Sequence, residues 1–281
     1  MEVLHAKERM QEKILRYNEK NMTIGFVPTM GALHEGHLSL VECSRRRDDV
    51  TVVSIFVNPA QFNQRDDYEK YPRDLKSDLN HLEQAGVDVV FTPTEQEMYP
   101  EPDNREFDFG GLDKVMEGKH RPGHFDGVAR IVTRLFDLVM PHRAYFGEKD
   151  YQQLAIIRHL TRQMRYNIDI VGCPIIRESD GLAKSSRNAR LTHEQRKEAP
   201  EISQALFEAI EHSGRCSPDE IREQVISRLN KNPQIDVEYF EIVDDKTLKP
   251  IRRKEEAKEN RACIAAWVGS VRLIDNVKIS F

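Results

Sequence analysis

Hydrophobic positions in the first two thirds of the chain alternate between two periods. Short β-branched runs at Ile24–Val27, Val50–Val57 and Val87–Phe91 predict strands. The second, VTVVSIFV, is apolar almost throughout, as expected of a strand buried on both faces of a parallel sheet. Between these runs apolar residues recur at helical spacing. Leu38, Leu40 and Val41 open one helix, and Leu75, Leu79 and Leu82 mark another that Gly86 is expected to stop. DGVARIVTRLFDLVMP carries Val128, Ile131, Val132, Leu135, Phe136 and Val139 on one stripe and ends at Pro141. A strand at Ala144–Phe146, a helix over DYQQLAIIRHLTRQM and a strand at Ile168–Ile176 follow. Alternating strands and helices predict an α/β domain over residues 1–176, a Rossmann-like doubly wound parallel sheet.

The pattern changes after residue 176. SDGLAKSSRNARLT is a polar loop, and two helices follow that open in capping boxes, Thr192-x-x-Gln195 and Ser217-Pro218-x-Glu220. Val237–Val243, Ala262–Val268 and Val271–Ile279 then read as neighbouring strands. Helices followed by adjacent strands predict a smaller α+β domain over residues 177–281, beginning with the KSSR loop.

Composition removes several function classes. Charged residues make up 32% and hydrophobic ones 39%, the profile of a globular chain, and the net charge of −5 disfavours a general nucleic-acid binder. The basic runs Arg45-Arg46-Arg47 and Arg158 to Arg165 read as solvated helix faces. No apolar stretch reaches the roughly 18 residues of a membrane span, and the charged N-terminus lacks the apolar core of a signal peptide. No membrane partner and a cytoplasmic location are therefore expected. Cys43, Cys173, Cys216 and Cys263 form no CxxC pair, so neither a zinc site nor a disulfide framework is expected.

The candidate chemistry sits where strands give way to helices. PTMGALHEGHLSL leaves the first of these strands and places His34 and His37 around Gly36 at a helix start. Backbone amides there form an anion site, and glycine lets a phosphate approach the main chain. Imidazoles can donate to phosphate oxygens as charge develops. The plainer alternatives are that both histidines only cap a helix, or that they bind a metal, though HExxH spacing is missing. In SIFVNPAQF, Asn58 and Gln61 emerge at a strand's carboxyl end, where open α/β sheets bind ligands. Such amides suit a substrate bearing hydroxyl and carboxylate groups; an Asn-Pro turn with an exposed Gln is the alternative. YFGEKDYQQL offers Lys149 for phosphate, Asp150 for ribose hydroxyls and Gln153 one turn further along. Lys184, Ser185, Ser186 and Arg187 form a phosphate-seeking loop. KHRPGHFDGV reads as a site wall or an interface, and Asp74 and Asp78 as caps or a Mg²⁺ ligand.

HxGH, NPxQF, RPGHFxGV, GEKDxQQL and the Ser-Ser-Arg loop, in this order, resemble the pantoate–β-alanine ligase (pantothenate synthetase) family of the HxGH nucleotidylyltransferase superfamily. The resemblance covers most of residues 22–192 and thins beyond them. It implies an AMP-forming acid–amino-acid ligase that makes pantoyl adenylate from ATP and pantoate with Mg²⁺, then passes the acyl group to β-alanine. It implies that Met30, Gly31, Ala32, Leu33, His34, Glu35, Gly36 and His37 line the ATP site, with both histidines on phosphates and His37 the proton donor. Gly147, Glu148, Lys149 and Asp150 would hold ribose and phosphate, Ile176 would touch adenine, and Lys184 to Arg187 would close over the triphosphate. Gln61 and Gln153 would hold pantoate, with Gln61 also near β-alanine and Asn58 in support, and Asp78 would associate with Mg²⁺. A homodimer is expected on the same ground. Asn63 departs from the glycine that relatives often carry after NPxQF, and the Arg/Asp-rich stretch after it bears on the flap over the site. The alternatives are another small-molecule nucleotidylyltransferase or a catalytically silent nucleotide sensor. His34, His37, Lys149 and Arg187 argue against the sensor, which need not keep groups that serve a transition state.

Overall fold

In the computed structural model the chain divides into two compact units. The first comprises Met1–Asp113, Glu117–Glu148 and Gln153–Pro174, and the second Lys114–Met116, Lys149–Gln152 and Ile175–Phe281. The structure describes residues 1–63 and 65–281, with residue 66 described by its backbone.

The first unit is built on six parallel strands in the order β1-β4-β3-β2-β5-β6. These are β1 (Glu2–Leu4), β2 (Ile24–Thr29), β3 (Val50–Ile55), β4 (Val89–Phe91), β5 (Arg143–Gly147) and β6 (Asp169–Cys173). Helices α1 (Lys7–Glu19), α2 (Glu35–Arg45), α3 (Arg65–Glu69), α4 (Leu75–Gln84), α5 (Glu95–Met98), α6 (Met116–His120), α7 (His124–Val139) and α8 (Tyr151–Gln163) fall between them in the chain. Helices cover both faces of the sheet. On one, Leu40 and Val41 of α2 and Leu82 of α4 pack with Val27, Val53, Val90 and Tyr145. On the other, Phe136 of α7 meets Phe26 and Phe146 edge-on, each at 6.5 Å between ring centroids. This two-sided burial explains why β3 is largely apolar, with only the small Thr51 and Ser54 as its polar residues.

From β2 the chain moves to β3 and β4 on one side, and from β5 to β6 on the other. The switch point therefore lies between β2 and β5, and open α/β sheets bind ligands outside the carboxyl ends of such strands. The loop 30–34 leaves β2 there, and Gly147 closes β5.

The second unit packs helices α9 (His193–Glu198), α10 (Glu201–His212) and α11 (Pro218–Leu229) with the antiparallel strands β7 (Ile235–Asp244), β8 (Asn260–Val268) and β9 (Val271–Ile279). Leu206, Ile221, Phe240, Ile264 and Leu273 lie in its core. Both predicted capping boxes form, at Thr192 and Ser217. A third helix, α10, was not anticipated: it follows Pro200 with no side-chain cap, so the sequence carries no start signal for it. The predicted strand at 168–176 stops at Cys173. β1 and α1 were also not anticipated, because α1 buries only Met10 and Ile14 among charged neighbours.

Candidate functional site

His34 and His37 cap α2 reciprocally. His34 is the N-cap residue, and its Nδ1 accepts from the Gly36 amide at 3.1 Å; the His34 amide donates to Nδ1 of His37 at 3.4 Å. Both ring nitrogens that face the backbone are acceptors, so each neutral imidazole carries its proton on Nε2. The rings lie side by side, with centroids 4.2 Å apart. The capping alternative raised from sequence is thus real, yet it does not compete with ligand binding. Capping consumes one nitrogen of each ring and defines the other as a donor, beside the positive end of a helix.

The approach to this cap is held in an unusual backbone shape. Gly31 and Ala32 both have positive φ, at 77° and 50°. The second is costly for a residue with a Cβ. Asp78 of α4 holds it: Oδ2 accepts from the Ala32 amide at 3.0 Å and Oδ1 from the Leu33 amide at 2.8 Å. Asp78 is buried, and both carboxylate oxygens are engaged by the main chain. The expected Mg²⁺ ligand is therefore in an anchoring position. Among the described residues no group of three or more His, Cys, Asp or Glu side chains is placed to hold a metal. Mg²⁺ that keeps its waters and binds substrate phosphates needs no such cage.

Gln61 ends a 3₁₀ turn, Pro59–Gln61, that Asn58 caps. Asn58 is buried and fully engaged: Nδ2 donates to Gly127 O at 2.9 Å and to Gln61 Oε1 at 3.3 Å, and Oδ1 accepts from the Ala60 amide at 3.3 Å. Its strand-end position suggested a substrate-side amide and the family resemblance a support for Gln61; these bonds place Asn58 behind Gln61. Gln61 Nε2 points to Met30 Sδ at 2.8 Å, which joins the NPAQF turn to the HxGH loop. RPGHFDGV forms the wall behind this turn. His124 donates from Nδ1 to Gln61 O at 2.8 Å, and Arg121 donates to His124 Nε2 at 3.3 Å. A Cβ on Gly127 would strike Ala60 O and Gln61 Cα, so glycine is what lets α7 approach the turn. The departure at Asn63 is put to use: its Nδ2 donates to Pro122 O, a bond a glycine could not make. Gln64 lies outside the described residues.

Sequence reasoning missed Tyr99, whose hydroxyl donates to Asn58 Oδ1 at 3.0 Å. Its separation of 41 residues from Asn58 gives no local signal. Gln153 lies half-buried in the first turn of α8, and Gly147 and Glu148 sit at the end of β5.

The remaining candidates belong to the second unit. The KSSR loop leaves a narrow hairpin in which Lys184 N donates to Ile176 O at 2.9 Å and Glu178 N to Leu182 O at 2.8 Å. Arg177 clamps its base through a bidentate pair with Asp275, at 2.6 and 2.9 Å. Burial pushes the Asp275 carboxyl up against the pull of that guanidinium. Lys184 Nζ lies 3.3 Å from Glu178, and Ser185 Oγ caps the turn Ser186–Arg190 by accepting from Arg187 N at 3.2 Å. Lys149 is held by its carbonyl, which accepts from Asn276 at 3.0 Å; Asp150 is 4.0 Å from its ammonium. Two successive residues of β9 thus anchor both predicted phosphate-binding segments of this unit. Neither had a sequence signal beyond a polar break in an apolar strand.

Comparison with known proteins narrows the chemistry. The Pantoate-beta-alanine ligase family model matches residues 2–278. The pantothenate synthetases of Bacteroides fragilis (strain YCH46) and Bacteroides thetaiotaomicron are each 50% identical over 278 residues, covering 99% of this chain and 99% of theirs. The crystal structure of pantothenate synthetase from Thermus thermophilus is similar with a TM-score of 0.93 at 43% identity, over 100% of both chains. That of pantoate-beta-alanine ligase from Francisella tularensis, complexed with beta-gamma ATP and beta-alanine, has a TM-score of 0.83 at 35% identity, over 99% of this chain and 97% of its own. With its HxGH loop at the sheet's switch point, this chain belongs to the pantoate–β-alanine ligase family.

Proposed function

We propose that the chain joins pantoate to β-alanine, using ATP and releasing AMP and pyrophosphate through a pantoyl adenylate. The observation that carries this reading is the paired histidine cap. It fixes two imidazoles by their Nδ1 atoms where the helix α2 begins, at the switch point of a parallel sheet. In the first step a pantoate carboxylate oxygen bonds to the α-phosphorus as the bond from that phosphorus to the pyrophosphate oxygen breaks. Negative charge moves onto pyrophosphate, and donors fixed in advance stabilise it best. His34 and His37 supply those donors, with the rest of residues 30–37, Gly147 and Glu148 lining the ATP site in the first unit; the family resemblance alone assigns Lys149, Asp150, Ile176, Lys184, Ser185, Ser186 and Arg187 of the second unit to the same nucleotide, as charge and hydroxyl donors. In the second step the β-alanine nitrogen bonds to the acyl carbon, AMP leaves, and the nitrogen gives its proton to solvent.

No side-chain nucleophile is required, which suits a chemistry in which the carboxylate of pantoate itself attacks. Gln61 and Gln153 hold pantoate. Mg²⁺ enters as the companion of ATP on the substrate's own phosphates. A homodimer in the cytoplasm completes the reading, on the strength of the family resemblance.

The test is isotope exchange. With pantoate, Mg²⁺ and no β-alanine, the enzyme is expected to exchange labelled pyrophosphate into ATP, and adding β-alanine releases AMP in step with pantothenate. ADP as the stoichiometric product, or exchange that requires β-alanine, would overturn the acyl-adenylate step.

A further inference from the structure

The amide orientation of Gln61 follows from its surroundings without reference to a ligand. A backbone N–H can only donate and a backbone carbonyl can only accept. Asn58 meets one of each: the Ala60 amide at Oδ1 and Gly127 O at Nδ2. Its side chain therefore has a single orientation, which settles the ordinary O/N ambiguity of an amide. The second proton of Nδ2 then points at Gln61, so the atom facing it must be the carbonyl Oε1. Gln61 is left to offer its NH₂ on the other side, toward Met30 Sδ. A thioether is a weak acceptor, and an oxygen acceptor on a substrate is a better partner for the same donor.

One more group supports this orientation. The Tyr99 hydroxyl donates to Asn58 Oδ1, from a ring that contacts Arg134, 5.1 Å from its centroid, and Phe56, at 6.3 Å between centroids. Burial pushes the Tyr99 phenol up to about 12 despite the opposing pull of Arg134, so it remains a donor over the working pH range. The Ala60 amide alone, at 3.3 Å, is a long bond for holding a buried amide.

We infer that Tyr99 is a positioning residue for pantoate: through Asn58 it locks Gln61 with its NH₂ facing the site, so that Gln61 recognises an oxygen acceptor of that substrate. The inference rests on the assignment of Gln61 to pantoate made above.

The experiment is a double-mutant cycle on the full-length enzyme, read by steady-state kinetics. Tyr99→Phe keeps the ring and removes the donor; it is expected to raise the pantoate KM about three- to tenfold, the worth of one neutral hydrogen bond. The KM for ATP and kcat should move less than about twofold, a split that a general loosening of the fold would not give. In a Gln61→Ala background, Tyr99→Phe should have no further effect, because the two act as one unit. Gln61→Glu exchanges the donor for an anionic acceptor and should bind pantoate roughly tenfold or more weakly than Gln61→Ala. Additive effects in the cycle, or equal changes in KM for both substrates, overturn the role of Tyr99. Gln61→Glu binding pantoate as well as Gln61→Ala overturns the donor orientation. An unchanged pantoate KM in Gln61→Ala overturns the assignment of Gln61 itself, and the inference with it.

Discussion

Replacing Asp78 with Asn separates an anchor from a metal ligand. The carboxylate accepts one amide at each oxygen, from Ala32 at 3.0 Å and Leu33 at 2.8 Å, and is buried. An Asn side chain has one acceptor, so whichever way it turns, one backbone N–H meets an NH₂. The variant loses a charge-assisted bond and leaves a buried donor unsatisfied, while the surviving bond becomes neutral. Taken together these changes cost about 2–4 kcal/mol. Part of the loss falls on the loop itself, where Ala32 is held at a φ of 50° that it would not choose alone. At about 2–4 °C per kcal/mol for larger domains, the unfolding midpoint is expected to drop on the order of 5–10 °C. Release of residues 31–33 also frees the entry to the His34 cap, so pantoate-dependent pyrophosphate exchange should fall even at saturating ATP. The assay is exchange rate against Mg²⁺ concentration, with thermal unfolding run in parallel. A metal ligand predicts a raised Mg²⁺ requirement that excess metal repairs, with little change in midpoint. Full recovery of exchange at high Mg²⁺, or an unaltered midpoint, would refute the anchoring role.

Three further outcomes are expected. His37→Asn retains an acceptor near the Nδ1 position and loses the Nε2 donor, so the unfolding midpoint should hold while exchange falls about 10²–10³-fold; an unchanged rate would remove His37 from phosphate chemistry. Gly127→Ala drives a Cβ into Ala60 O and Gln61 Cα, and should cost about 1–3 kcal/mol as overpacking while raising the pantoate KM more than that of ATP. Kinetics like those of the parent enzyme would show that the turn yields freely. Asp103, bonded by Arg105 at 2.7 Å and Arg134 at 2.8 Å, has its carboxyl held well below the usual range, chiefly by Arg105. Because the folded state depresses this group, its contribution is complete at neutral pH and is lost as pH falls from about 4 toward the depressed value. Asp103→Asn should therefore lower the midpoint at pH 7 by more than at pH 3; a difference constant across that range counts against the ion pair.

The parallel sheet was legible because burial on both faces leaves a nearly continuous apolar run, as in VTVVSIFV, and the capping boxes at Thr192 and Ser217 were legible because they are local. The motif residues themselves could be read, since each stands within a few positions of a strand end. What holds them could not. Tyr99, Asp78, His124 and Asn276 reach candidate residues across 41, 46, 63 and 127 positions of chain, and Asp275 reaches Arg177, at the base of the KSSR hairpin, across 98. A supporting hydrogen bond at such range leaves no period and no spacing. Asn58 shows the consequence: type and location alone suggested a substrate amide, and only the family resemblance pointed to the supporting role in which its partners hold it, behind Gln61.

The double histidine also has a physical reason that neither role supplies alone. Ser, Asp and Asn are the better helix caps, so capping by itself does not ask for imidazole at position 34. An Asp there would set a negative charge against phosphate, and a Ser hydroxyl is too short to serve the helix and a ligand together. Imidazole holds an acceptor at one edge and a donor at the opposite edge, with both fixed to a rigid ring. Using Nδ1 on the helix commits the proton to Nε2, and the helix that gains a cap thereby orients the donor. The same bond also lowers the cost of reorganisation when charge appears, because the ring is already fixed by the backbone it serves. On the proposed reading the two functions are one arrangement. A helix that lost its cap would lose its phosphate donors in the same step, so substitutions at His34 are expected to alter stability and adenylation together, whereas His37→Asn separates them.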